Sequence, residues 1–365
     1  MSRDGDAVAP PDELEGLTAE WMTAALGVAH PGVEVTSLHF GQTRQGTNTT
    51  ARLLLGYNRA GHEAQLPPTM YAKGAWTGRG VGGTFNEARF YQHIAPQLPG
   101  VDLPRAWFAS ADVDSRQAVI VMEDLLARNV ILGSAQQSFT PDQAFQLADQ
   151  LAQLHALWFD SPELDRQDWL HRRGTVTGLD VESAEEETGI FGSFKDWWWD
   201  KRMANGHADP LPEHLKDRLL VKQALVNLYQ LEDGGPQCLV HGDPHLGNMY
   251  FGLDGRPGIY DWGGSIGRWG HDINYAIIGS LEIEERRRHE RDVLRHYLER
   301  LAANGGPAIG WDDAWLSWRR QTIHGFMWVM CSPRQQPEDL IALQTERFGS
   351  AAEDHEMLDA LEVDA

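Results

Sequence analysis

Apolar and polar positions alternate with two different periods along this chain, and the change from one to the other divides it. Between Val33 and Tyr57 apolar residues tend to recur at every second position, interrupted by the polar stretch Gly41-Gln-Thr-Arg-Gln-Gly46-Thr-Asn-Thr, which predicts strand, turn, strand. Pro67-Pro68 precede a short predicted strand, Met70-Tyr-Ala-Lys73. Glycines at 78, 80, 82 and 83 then lead into a helix that starts near Thr84 and carries Glu87, Phe90, Tyr91 and Ile94. Ala118-Val-Ile-Val-Met122, bounded by Glu123 and Asp124, has the unbroken apolar run of a buried strand. A short helix from Leu17 to Leu26, with Thr18 as its N-cap, stands before all of these.

From Thr140 the period lengthens to that of a helix. Thr140-Pro141 supply an N-cap and a first-turn proline, and Leu147, Leu151, Leu154 and Leu157 form the buried stripe of a helix expected to reach Phe159. The segment from Asp160 to about Gly235 is charged and aromatic without a steady period, and includes Trp197-Trp198-Trp199. Short strands and turns follow from Cys238 to Trp262. Helices are then expected from Asp272 to Leu281, Ile283 to Asn304, Trp311 to Met330, and onward from Pro337. This order predicts an α+β, two-lobed protein. Residues 1–124 make a small nucleotide-binding lobe built on an antiparallel sheet, with 1–15 flexible; residues 125–365 make a larger helical, catalytic and substrate-binding lobe with a helical insertion at about 160–235.

Charge changes this picture little. The formal net charge is −22, but half of it comes from residues 1–20 and 350–365, acidic tails of the kind that remain solvated. No basic stripe suited to nucleic acid is present, and no apolar run is long enough for a membrane span. The N-terminus lacks the apolar core of a signal peptide. Two cysteines, Cys238 and Cys331, make neither a disulfide framework nor a zinc cluster, so the expected compartment is the cytoplasm.

Chemistry is concentrated in Leu239-Val240-His241-Gly242-Asp243-Pro244-His245-Leu246-Gly247-Asn248 and in Asp261-Trp262-Gly263. A short strand ends in a turn carrying Asp243, Asn248 follows five residues later, and Asp261 ends a second strand. Phosphoryl transfer needs a carboxylate to receive the proton of the attacking hydroxyl, and oxygen ligands for the Mg²⁺ that bridges the phosphates. A hairpin with this spacing can gather all three, in the layout of the kinase elements H-R-D…N and D-F-G.

The segment His241 to Asp272 resembles the phosphotransferase motif of the aminoglycoside phosphotransferase and choline kinase-like superfamily. The longer run through Gly270-His-Asp272, Ser280-Leu281, Arg286-Arg287 and Tyr297-Leu298 is similar to its ecdysteroid-kinase-like branch. The resemblance implies a protein-kinase-like fold with ATP in its cleft. It makes Asp243 the catalytic base, Asn248 and Asp261 the Mg²⁺ ligands, and Asp272 a brace for the catalytic loop. Lys73 would contact the α- and β-phosphates and Glu87 would hold it by an ion pair. The loop from Gly41 through Gly46 to Asn48 would cover the phosphates, although two glycines depart from a G-x-G-x-x-G pattern. The strand ending at Glu123 and Leu125 would offer its backbone to adenine. The expected function is ATP- and Mg²⁺-dependent transfer of a γ-phosphoryl group to a hydroxyl of a small molecule. The acceptor would be antibiotic-like, sterol-like or another secondary-metabolite alcohol.

Other readings compete. A protein kinase lacks support because no A-P-E element and no long activation segment follow Asp261. A catalytically silent nucleotide-binding module is the alternative within the same fold. His241-x-Asp243-x-His245 could instead open a metal-ligand cluster of a hydrolase. The tryptophan triplet cannot place all three rings on one helical face, so it either lines a pocket or wedges between surfaces. The acidic run Glu182 to Glu187 is either a solvated face or an attraction for an amine. His155, on the apolar helix, reads as a core histidine.

Overall fold

The computed structural model describes residues 8–45, 48–76, 81–115, 117–172, 184–185, 189–204, 206–332, 334 and 336–363. It divides into two compact units. The first comprises Met1–Ile131, Gly252–Asp254 and Gly258–Gly264; the second comprises Leu132–Phe251, Gly255–Pro257 and Ser265–Ala365.

The first unit is a five-stranded antiparallel sheet in the order β1-β2-β3-β5-β4, made of β1 (Val35–Gln45), β2 (Thr49–Tyr57), β3 (Thr69–Gly74), β4 (Ala106–Ala111) and β5 (Ala118–Glu123). The alternation seen in the sequence sets its inner face: Ala51, Leu53, Leu55 and Tyr57 of β2 are buried while their neighbours are not. Helix α1 (Ala19–Gly27) covers that face with Met22 and Leu26, and Thr18 caps it by accepting the Trp21 N–H at 3.1 Å. A short helix α2 (Arg59–Glu63) links β2 to β3. Helix α3 (Val81–His93) packs on β4 and β5, beginning three residues before the expected Thr84. Strand β4 has no counterpart among the sequence expectations. Its residues, Ala-Trp-Phe-Ala-Ser-Ala, show no strict alternation, and pairing with the buried β5 is what makes it a strand.

The second unit is mostly helical. Helix α4 (Pro141–Ala156) opens on a full capping box, with the Thr140 side chain taking the Gln143 N–H and Gln143 returning to the Thr140 N–H. Leu147, Leu151 and Leu154 are buried as expected. Leu157 is not part of the stripe: it is the extended C-cap, and the chain turns away through Trp158 and Asp160 at φ +60° and +47°. After a two-residue strand β6 (His171–Arg172), the described residues of the insertion hold the helices α5 (Asp196–Met203) and α6 (Arg218–Leu231). The helical spacing of Val221, Leu225 and Leu228 is present in the sequence, but the polar residues around it mask it. A small sheet places β9 (Ser265–Gly267) between β6, parallel to it, and β7 (Cys238–Val240), antiparallel to it; β8 (Met249–Phe251) follows the Asn248 turn. Helices α7 (Trp269–Ser280), α8 (Ile283–Ala303), α9 (Trp311–Phe326), α10 (Glu338–Asp354) and α11 (Met357–Ala360) complete the unit. Helix α7 is buried along almost its whole length and packs against α9, which gives the loop after β7 a rigid neighbour.

The tryptophan triplet is divided by this packing. Trp197 is exposed, Trp198 donates its indole N–H to the Met330 carbonyl, and Trp199 is buried and stacked on Phe194 at 5.5 Å. Of the acidic run, Glu185 lies among the described residues, while 182–183 and 186–187 lie outside them.

Candidate functional site

Each unit carries one half of the residues that the sequence singles out. In the first, Lys73 is the next-to-last residue of β3, opposite Thr50 and Ile120, where the strand's alternation turns its side chain to the same side as α3. Its ammonium pairs with Glu87 of α3 at 2.5 Å and donates to Asp261. Burial works against the charge on Lys73, but the two carboxylates outweigh it and hold the ammonium protonated far beyond its ordinary range. Glu87 is pushed upward by burial, with Lys73 pulling it back and the nearby Asp261 adding to the rise; the Trp262 backbone N–H also donates to it.

Asp261 is held in a left-handed conformation, φ +64°, which costs a non-glycine residue about 1 kcal/mol or more and persists only where the surroundings demand it. Those surroundings are visible. Trp262 is fully buried, its ring stacks on Phe90 with centroids 4.5 Å apart and planes within 5°, and its indole N–H donates to the Ile259 carbonyl at 3.0 Å. Glu87 and Phe90 stand three residues apart on α3 and so share a face. One contacts Lys73 and the other anchors the residue after Asp261, whose carboxylate is about half exposed at 49%.

Gly41 does not lie in a loop. It belongs to β1, at a register shift between Phe40 and Thr43. Gly46 lies outside the described residues. Asn48 follows the turn and accepts the Thr84 hydroxyl at 2.7 Å, tying it to the first turn of α3. At the end of β5 the Glu123 N–H is taken by the Arg105 carbonyl at 2.8 Å, and the Glu123 carboxylate accepts the Arg105 N–H at 3.3 Å. Asp124 is buried, pairs with Arg52 at 2.7 Å and accepts the Leu126 N–H. Leu125 begins the turn that follows.

In the second unit the loop after β7 is held from below by Asp272. Its fully buried carboxylate accepts the N–H groups of His241 at 2.6 Å and Gly242 at 2.9 Å, and lies 3.3 Å from His155 Nε2. His155 Nδ1 meets the Tyr297 hydroxyl at 2.8 Å, which makes it the core histidine that its helix implies. Burial would raise Asp272; its hydrogen bond to His155 and the positive potential of His155, His271 and His241 outweigh that and hold it well below the usual carboxylate range. His241 Nδ1 accepts the Asp243 N–H at 3.2 Å, and the imidazole of His271 lies 3.2 Å from the Gly242 carbonyl.

Asp243 is thus presented by a loop whose backbone has no slack, with its carboxylate still 55% exposed. Asn248 directs its amide N–H to the Asp243 carbonyl at 2.9 Å, which leaves its own amide oxygen facing away from that bond. Tyr275 and Trp328 stand beside Asp243 in one pocket, and burial, with the negative charge of Asp243 adding to it, holds the Tyr275 phenol protonated. A pocket of about 250 Å³ opens here, lined by Asp243, His245, Tyr275, His324, Met327 and Trp328 among others. Tyr275 and Trp328 are absent from the sequence-derived site. Tyr275 lies three residues after Asp272 on α7, so the helical repeat could have found it; Trp328 is brought in by the 3₁₀ turn after α9.

The histidines do not form a metal cluster. His241 is buried with Nδ1 engaged, and among the described residues no three His, Cys, Asp or Glu side chains gather as a ligand set.

A model of the phosphotransferase enzyme family matches residues 82–315. Among solved structures, a choline kinase from Cryptosporidium parvum Iowa II is similar at 12% identity and TM-score 0.50, over 92% of this chain and 95% of that one. The macrolide 2'-phosphotransferase MphH from Brachybacterium faecium is similar at 14% identity and TM-score 0.48, over 94% and 98% of the two chains. A choline/ethanolamine kinase family protein from Mesorhizobium loti has 14% identity and TM-score 0.46, over 90% and 93%. At these identities the likeness is one of fold. No curated protein matches the chain.

Proposed function

Because this chain belongs to the phosphotransferase enzyme family and is a small-molecule kinase, we propose that it moves the γ-phosphoryl group of ATP, bound with Mg²⁺, directly to a hydroxyl of its acceptor. The observation that carries the nucleotide part is the Lys73 ammonium held at once by Glu87 and Asp261. A permanently protonated lysine fixed between two carboxylates suits triphosphate binding, since the phosphates can replace part of its carboxylate contact.

Asp261 and Asn248 are the groups that would hold Mg²⁺. One offers a half-exposed carboxylate and the other a neutral amide oxygen, both hard donors of the kind this ion takes alongside phosphate oxygens. The ion when bound neutralises charge on the β- and γ-phosphates. Lys73 clamps the phosphates. Asp243 accepts the hydrogen bond of the acceptor hydroxyl, orients its oxygen towards phosphorus and takes its proton as the bond forms. Asp272 keeps the Asp243 loop from moving during that step. The aromatic and apolar lining around Asp243 favours an acceptor with a ring-bearing or apolar body, such as an antibiotic-like or other secondary-metabolite alcohol.

The test is ADP release from ATP across hydroxylated compounds (aminoglycosides, macrolides, sterols, amino alcohols, sugars), with and without Mg²⁺, for the wild type, Asp243→Ala and Asp261→Asn. Asparagine tolerates the left-handed backbone at 261, so that variant removes the charge while sparing the turn. Acceptor-stimulated release that needs Mg²⁺ and disappears in both variants supports the reading. Undiminished turnover in either variant overturns it, and ATP binding without turnover in any condition favours the silent module.

A further inference from the structure

A cavity of about 660 Å³ in the second unit lies apart from the Asp243 pocket and has no part in phosphoryl transfer. Its wall is apolar, with Phe159, Trp269 and Ile309, and its polar side is acidic, with Asp160, Glu232 and Asp313. Arg268 also borders it, but its guanidinium donates to the carbonyls of Glu232, Gly235 and Pro236 and is committed to the wall. Glu232 is largely buried, accepts from Gln321 at 2.6 Å and faces the Arg268 guanidinium at 3.9 Å, while Asp160 and Asp313 are exposed. The volume is that of a small-molecule site, and an apolar wall facing carboxylates calls for an organic cation.

We propose that this cavity is a second ligand site that takes a small organic ammonium compound with an apolar, ring-bearing body. The ring lies against Trp269 and Phe159, and the ammonium is met by Asp313 and Asp160. The site shares its two supporting helices with the acceptor pocket. Helix α7 gives Trp269 to the cavity and Tyr275 to the pocket; α9 gives Asp313 and Ser317 to the cavity and His324 to the pocket. Trp269 and Tyr275, like Ser317 and His324, stand about two helical turns apart, roughly 10 Å along the axis.

Isothermal titration of the full-length protein with 1-naphthylmethylammonium, against the neutral isostere 1-naphthylmethanol, tests this directly. The expected result is saturable binding of the ammonium, about tenfold tighter than the alcohol. Asp313→Asn, an exposed change that leaves the fold alone, and Asp160→Asn, which suits the left-handed backbone there, should each erase that preference, whereas Asp243→Ala should keep it. Three results would overturn the proposal: no saturable heat up to millimolar probe, equal affinity for amine and alcohol, or binding lost in Asp243→Ala and unaffected at Asp313. None of these readouts depends on turnover, so the phosphotransfer reading stands or falls separately.

Discussion

Phe90 and Trp262 stack face to face at 4.5 Å, and through that contact helix α3 governs the backbone of Asp261. The stack fastens the residue after the strained carboxylate to the same helix that supplies Glu87. Trp262→Ala should lower stability by about 3–5 kcal/mol, the usual range for emptying a buried aromatic site. Turnover should fall further than in Trp262→Phe, which keeps a ring against Phe90. Urea melts beside steady-state rates check this; equal rates in the two variants would show that the stack does not hold Asp261.

Glu87 separates stability from activity. Burial raises its pKa above the ordinary 4.5, so the folded chain holds its proton more tightly than the unfolded chain, and stability drains away as pH rises through that range. Glu87→Gln removes this slope and leaves Lys73 paired with Asp261. The variant should be at least as stable at pH 8 as the wild type, while its KM for ATP rises roughly ten- to a hundredfold through loss of a charged hydrogen bond. Denaturant melts from pH 5 to 8 and ATP titrations give both readings.

Asp272 has the opposite sign. Its pKa is depressed, so its contribution is present above the unfolded value of about 3.9 and is lost as pH falls below it. Asp272→Asn should cost roughly 2–3 kcal/mol at pH 7, because an amide cannot accept from His241, Gly242 and His155 together. The gap between variant and wild type should close as melts are taken from pH 6 towards pH 3.

Tyr275→Phe leaves the pocket's shape and removes the hydroxyl that lines it beside Asp243. The expected effect is a kcat about tenfold lower with KM for ATP unchanged. A change in the ATP constant alone would place Tyr275 outside the acceptor step.

Thr140→Ala serves as a control remote from the site. Losing the capping box should cost about 1 kcal/mol in a urea melt and leave kcat unchanged.

The ion pair of Lys73 with Glu87 is one that the resemblance to the phosphotransferase superfamily implies, and spacing alone does not give it. The Asp243…Asn248…Asp261 spacing is a pattern readable along the chain. The phosphate loop is less legible. Gly41 belongs to a glycine spacing that suits a loop, yet β1 continues through it with a bulge, because β2 offers ladder partners as far as Thr49. The bounds of helix α6, within an insertion expected to be helical, are not legible either: its apolar stripe is regular, but it lies inside a long polar segment whose average character is irregular.

By itself the sequence determined the sheet-then-helices order and the capped start of α4, and it nominated Asp243, Asn248 and Asp261 for phosphoryl transfer. Each follows from side-chain periodicity, cap chemistry or the requirements of a reaction, which act over a few residues. The tertiary structure alone decided that Trp262 stacks on Phe90, that Lys73 reaches Asp261 across 188 positions, that Asp272 holds the backbone of Gly242, and that Trp328 rather than the Trp197–Trp199 triplet borders the pocket at Asp243. These contacts join residues far apart in the chain. They form only where close packing of two elements repays the entropy of bringing them together, a balance no local pattern records.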